Sequence, residues 1–237
     1  MDTNVNNTNY LKNVESLSYT RTFLSNVFMW MFVALGITAL TSFFGVGLVP
    51  YLISPTRGLN IFGWIVMLAP FGLAIVMMTR FNKLSYSLML IFFIAYSFLF
   101  GLSISFIFLM YTVSSIFLTF AITAGMFGTM SILGYTTKTD LTKFGSIMIM
   151  GLVGIIIASI VNFFMQNNML MYIISFIGVL VFTGLTAYDV QKLKRIGEQV
   201  QDGGESTKKR TLLGALTLYL DFINLFLFLL RLFGNRK

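Results

Sequence analysis

Two of the eight acidic residues stand inside long apolar runs, and they are the side chains with the most scope for chemistry. Asp221 lies in LLGALTLYLDFINLFLFLL with apolar neighbours on both sides, and Asp189 closes the run FIGVLVFTGLTAYD. The other six occupy ordinary places: Asp2 and Glu15 in a polar N-terminal stretch, Asp140 between apolar runs, and Glu198, Asp202 and Glu205 in a hydrophilic segment. An ionised carboxylate at the centre of a bilayer costs at least about 2.5–3.5 kcal/mol on insertion scales, so it is tolerated only opposite a partner, a cavity or a proton. Asp221 is therefore the first functional candidate. Asp189 has a blander alternative, a pairing with nearby Lys192 or Arg195. Two carboxylates that meet in an apolar interior cannot both ionise cheaply, so they share a proton and titrate as a unit, a proton-sensitive latch. Deprotonated, they offer the hard oxygens that suit Ca²⁺. Two carboxylates fall short of the roughly six to eight oxygens that ion takes, which leaves backbone carbonyls or water to supply the rest.

The elements that must position these acids are membrane helices. Of the 237 residues 57% are hydrophobic and 10% charged, against about 45–50% and about 25% in soluble domains. Seven apolar runs are long enough to cross a bilayer at about 20 residues each: roughly 23–44, 60–79, 85–109, 113–135, 145–165, 169–190 and 212–233. None alternates with period two, so a closed barrel is excluded and the fold class is all-α, an integral membrane bundle of seven helices. Pro70 falls inside the second run, where a missing backbone donor predicts a kink. Small residues recur in the later runs, among them Gly101, Gly125, Gly128, Gly151, Gly154, Gly178 and Gly184. They predict close helix approach rather than a conduction path. With neither Cys nor His, the chain has no thiol chemistry and none of the usual zinc, copper or haem ligands. No tightly bound cofactor is expected.

Sixteen Lys and Arg against eight acids would suggest nucleic acid in a soluble protein. Here they set topology, and no nucleic-acid partner is expected. With the N-terminus inside, the cytoplasmic side receives Lys12, Arg21, Arg80, Lys83, Lys138, Lys143 and the cluster from Lys192 to Arg210, while the opposite loops before the last helix receive only Arg57. Residues 1–20 are polar and Asn-rich and read as a flexible tail without a signal peptide's basic start or apolar core. Residues 21–237 make the transmembrane domain, with one hydrophilic loop, 191–211, expected to be solvated and to lie against anionic lipid. These boundaries create a conflict of depth. Asp221 would lie roughly 15 Å beyond a helix start near Arg210, while Asp189 would lie only a few Å from its own helix end, at about 1.5 Å per residue. A direct contact then requires the last helix to start late, for example after Gly214.

The stretch TGLTAYDVQKLKRIG, followed by LYLDFINLFLFLLRLFG, resembles the Bax inhibitor-1 family, also called the transmembrane Bax-inhibitor-motif family. The resemblance implies a multi-pass protein of the cell membrane, here the bacterial cytoplasmic membrane, and a pH-sensitive Ca²⁺ leak. The family's paired aspartates match Asp189 and Asp221, as sensor and as ligands for a permeant or regulatory Ca²⁺. A basic latch toward the second aspartate matches Arg80, and an arginine late in the last helix matches Arg231. Some members carry an acid in the second helix that pairs with that arginine, whereas this chain has Ala69 and Pro70 there. The expected function is a proton-gated Ca²⁺ leak whose partners are lipid, Ca²⁺ and protons. The alternative is a regulatory membrane protein, acting on a membrane protease or in stress survival through a protein partner and without ion flux of its own. An enzyme is not expected, since the acids lack the motifs of aspartyl intramembrane proteases.

Overall fold

The computed structural model describes the backbone of residues 2–54, 58–200 and 203–237 and, within these, all side chains except those of 2–17, 54 and 58. Seven long helices cross the molecule: α1 (Asp2–Gly45), α2 (Ile61–Thr79), α3 (Tyr86–Ile104), α4 (Val113–Thr136), α5 (Thr142–Met165), α6 (Asn168–Glu198) and α7 (Glu205–Phe233). Each contains a segment long and apolar enough to cross a membrane, the first of them Ser18–Leu52. Single helical turns at Val49–Leu52 and Ile107–Met110 extend α1 and α3. The departures from all-α among the described residues are a two-residue antiparallel ribbon that pairs Ile53 with Leu59 and Ser54 with Gly58, and an isolated antiparallel bridge between Tyr111 and Arg236.

The starts of the helices follow from local chemistry. Asn60, Ser85, Thr112 and Asn167 each precede a helix and accept a hydrogen bond from the backbone N–H three residues on, which satisfies donors a helix leaves open. Gln166 ends α5 with φ at 50°, the left-handed cap that allows α6 to start two residues later. Pro70 is buried within a helix that continues through it. α1 begins at Asp2, so the expected tail is helical in its backbone. No Gly occurs before Gly36 and no Pro before Pro50 to stop it.

The centre of the bundle is α7. Two thirds of its apolar segment is buried, 67%, against 6% for α5, so the last helix is the axis and the fifth a lipid-facing element packed on α6. α7 also crosses completely. At one end Glu205 accepts the backbone N–H of Tyr86 at 2.9 Å, where α3 starts. At the other, Asn235 donates to Ser115 Oγ at 2.9 Å and accepts from the backbone N–H of Thr112, at the start of α4. A re-entrant last segment would have brought both ends to one side.

The hydrophilic loop expected over 191–211 is mostly helix. α6 runs on to Glu198 and α7 starts at Glu205, leaving 199–204 as the connection, of which 201 and 202 lie outside the described residues. The charged side chains that read as loop have partners on neighbouring helix ends. Lys194 donates to the Tyr135 carbonyl, and Lys209 donates to the carbonyls of Phe81 and Leu84, placing cations where helix C-termini favour them. Arg195 pairs with Asp140 at 2.6 Å, and Gln191 bridges the same α4–α5 turn through Leu141 N–H and the Thr139 carbonyl. Arg57 lies outside the described residues.

The Thr142 hydroxyl and Arg195, with the Thr142 backbone N–H, hold the exposed Asp140 carboxyl below its ordinary range. A depressed carboxyl stabilises the fold above its unfolded pKa and loses that contribution as pH falls through the folded value. An Asp140→Asn variant should accordingly melt slightly below the wild type at neutral pH. The difference should vanish in strong acid, as read by thermal unfolding in detergent.

Close helix contacts divide the glycines. A methyl on Gly101 would collide with Thr41, one on Gly145 with the Tyr188 ring, and one on Gly134 with the backbone carbonyl of Ala187. Gly151, Gly178 and Gly184 are similarly tight, whereas Gly125, Gly128 and Gly154 have open space. The Gly134 contact matters most for the acids, because Ala187 lies two residues before Asp189 and backbone cannot yield as a side chain does. Gly134→Val should force α4 from α6 at a cost of about 1–3 kcal/mol, read as a lower Tm of the purified protein.

Candidate functional site

Asp189 and Asp221 come from neighbouring antiparallel helices, and the register follows from three contacts. Gly214 of α7 lies against Leu193 of α6, Asp221 meets Asp189, and Phe228 meets Gly178 and Phe182. The carboxyl groups of Asp189 and Asp221 face each other within side-chain hydrogen-bonding reach. The conflict of depth disappears for a reason different from the one expected: α7 does not start late. α6 is longer, and its extension to Glu198 carries Asp189 nine residues, about 13 Å, inside its helix end.

The two acids have unequal surroundings. Asp221 is 4% exposed, and its Oδ2 is buried with no hydrogen-bond partner among the described residues. Asp189 is 9% exposed and lies within the electrostatic reach of Lys192, one turn further along α6. Asp189 also lines a cavity of about 380 Å³ at the basic end of the bundle, together with Met78 beside α2's last turn, Lys192, Arg210, Gly214 and Thr217. Asp221 is not in that lining; it sits one turn beyond Thr217, behind Asp189. Of the two acids, Asp189 is the one that opens onto the cavity at the basic end.

Arg80, the predicted latch, caps the C-terminus of α2 and is exposed. Met78 and Phe81 on either side of it line the cavity, but Arg80 makes no ion pair among the described residues. It is not brought to Asp221. Arg231 lies at the far end of α7, half-buried, its guanidinium 5.7 Å from the Phe228 ring centroid, a distance suited to cation–π attraction. No acid pairs with it among the described residues.

The sequence reading missed three features. Arg210 and Thr217, both in the cavity wall, share a face with the aspartate, since Arg210, Gly214, Thr217 and Asp221 follow one another at spacings of four, three and four. That spacing was a usable signal. The third feature had none: Tyr219, fully buried, shares a 2.8 Å hydrogen bond with Thr38, which also donates to the Ser97 carbonyl. This knot ties α7 to α1 and α3 on the side away from the acids. No cluster of three or more metal-ligating side chains occurs among the described residues, so a cation at the pair would draw on hydroxyl, amide, backbone or water oxygens as well.

A bundle of seven spanning helices whose C-terminal member is central and buries a carboxyl pair defines a multi-pass integral membrane protein. The family model described as Inhibitor of apoptosis-promoting Bax1 matches residues 20–237, and the chain belongs to the Bax inhibitor-1 family. It is 47% identical to the inner membrane protein YbhL of Escherichia coli over 92% of this chain and 93% of that one. A protein of Rickettsia prowazekii is 39% identical over 96% of this chain and 98% of its own. A third, from Borreliella burgdorferi, is 50% identical over 73% and 74%.

Proposed function

We propose that this protein is a pH-sensitive Ca²⁺ leak gated by Asp189 and Asp221, with the basic end of the bundle facing the cytoplasm. One observation carries the reading: two buried carboxyl groups facing each other deep in the bundle, one of them lining a cavity at one end. Two carboxylates in contact away from water hold one proton between them. Their charge then depends on pH, and with it the pull on Arg80, whose helix α2 forms one wall of the cavity. When the pair is ionised it draws Arg80 inward, α2 closes over the cavity, and the path shuts. When the pair is protonated Arg80 is free, as it stands in this structure, and the cavity is open to the aspartates. Flux accordingly rises as pH falls. The positive-inside bias of the loops supports the orientation.

Purified protein in liposomes loaded with a Ca²⁺ indicator tests the proposal. Ca²⁺ uptake that increases on acidification is the expected result, and uptake equal to that of empty liposomes at every pH would refute it.

A further inference from the structure

Asn224 is the only amide side chain of α7, and it lies three residues beyond Asp221 in the middle of the apolar stretch. It falls between two fixed points, since Asp221 touches Asp189 and Phe228 touches Gly178 and Phe182 of the same helix. On a helix, positions 217, 221, 224 and 228 share one face. Asn224 therefore continues the row that begins at Thr217 in the cavity wall. Its Nδ2 donates to the Leu220 carbonyl at 2.8 Å, which leaves Oδ1 turned from its own backbone and accepting no hydrogen bond among the described residues. The residue is half-buried rather than sealed in the core. A polar oxygen left without a donor inside a membrane span is costly. One turn away, Asp221 Oδ2 also has no hydrogen-bond partner among the described residues, and it is fully buried.

We infer that Asn224 is a cation ligand immediately beyond the carboxyl pair, its Oδ1 and the Oδ2 of Asp221 providing successive oxygens for a permeating divalent cation. The inference rests on the leak reading and extends it past the gate. Ca²⁺ takes carboxylate, amide, hydroxyl and water oxygens together. Thr217 supplies a hydroxyl on the cavity side: it donates to Leu213 and keeps lone pairs to offer. Asn224 supplies an amide oxygen on the other. The row Thr217, Asp221, Asn224 thus passes an ion along one face of α7, and Phe228 ends it against Phe182.

Two substitutions separate the oxygen from the backbone bond. Asn224→Ala removes both, while Asn224→Asp keeps an oxygen and removes the donor to Leu220. In liposomes, Asn224→Ala should lower Ca²⁺ flux by about ten-fold, the scale on which losing one supporting group weakens metal binding, with the pH midpoint unchanged because the pair is untouched. Asn224→Asp should keep most of the wild-type flux when each protein is read at its own pH of maximal flux, because a third carboxyl one turn from the pair shifts the pH midpoint. Both are compared with wild type for Tm in detergent. Wild-type flux in Asn224→Ala overturns the inference, and so does Asn224→Asp losing as much flux as Asn224→Ala, which would assign Asn224 to the Leu220 bond alone. A wild type that passes no Ca²⁺ at any pH fails the leak reading itself and removes this step with it, an outcome distinct from either variant result.

Discussion

Liposomes carrying Asp189→Asn, Asp221→Asn protein should pass Ca²⁺ at a rate that no longer changes between about pH 6 and about pH 8. One shared proton changes its occupancy by at most about ten-fold per pH unit, so a wild-type response of up to that steepness belongs to the pair. Two amides in the same positions can still hydrogen-bond to each other, and their volume is nearly that of the acids. The α6–α7 seam should therefore stay packed, and the variant should fold. What it loses is the charge. With no charge to draw Arg80 inward, the path stays in its open arrangement, while weaker oxygen ligands lower the rate of passage; a low, flat flux is the signature. Each single variant leaves one acid facing an amide. Asp221→Asn keeps Asp189 beside the cavity and Lys192, whereas Asp189→Asn leaves Asp221 buried behind a neutral group. The second should shift the response further, because its remaining carboxyl has no cation near it and no direct access to the cavity. A double variant that keeps the wild-type pH profile would remove the pair from the gate.

The seven spans were legible because long apolar runs have few alternatives in a bilayer, and the structure places a helix over each of them. The ends were harder. Charge at Lys192, Lys194, Arg195, Lys208 and Lys209 reads as loop in a sequence, yet α6 and α7 run through it, with Lys194 donating to the Tyr135 carbonyl near the end of α4, Lys209 to the Phe81 and Leu84 carbonyls of the α2–α3 turn, and Arg195 paired with Asp140. That misreading is what made contact between the acids look conditional on a late start of α7. A helix boundary wrong by eight residues moves a side chain by about 12 Å, enough to separate or join a pair. The identity of the acids came from burial cost and from motif. Their contact came from register, which depends on Gly214 against Leu193 and Gly178 against Phe228, and no spacing within a single helix encodes that. Thr217 could have been found by counting back one turn from Asp221. The Tyr219–Thr38 bond joins residues 181 apart in sequence and had no local sign.

Arg80→Ala should raise the Ca²⁺ leak near neutral pH roughly five- to ten-fold, toward the acid level, and so flatten the profile from the opposite side to the aspartate variants. The argument starts from where Arg80 stands. It is exposed at the end of α2, without an acid partner among the described residues, while the helix it caps forms one wall of the cavity beside Asp189. α2 packs on α3 and makes little contact with α7, so a shift toward α7 breaks little α2–α7 packing. What can hold it inward is one guanidinium facing an ionised pair, and an ion pair at a partly solvated mouth is worth about 1 kcal/mol, or roughly five-fold in population. Removing the guanidinium removes that closing force at every pH. The variant should leak at neutral pH as the wild type does in acid, and further acidification should change it little. Arg80→Lys keeps the charge but not the bidentate geometry, so it should fall between the two. If Arg80→Ala instead closes at neutral pH as the wild type does, the latch is not Arg80. The remaining cations of the cavity wall, Lys192 and Arg210, then become the groups to replace, and of these only Arg210 is borne by the same helix as Asp221.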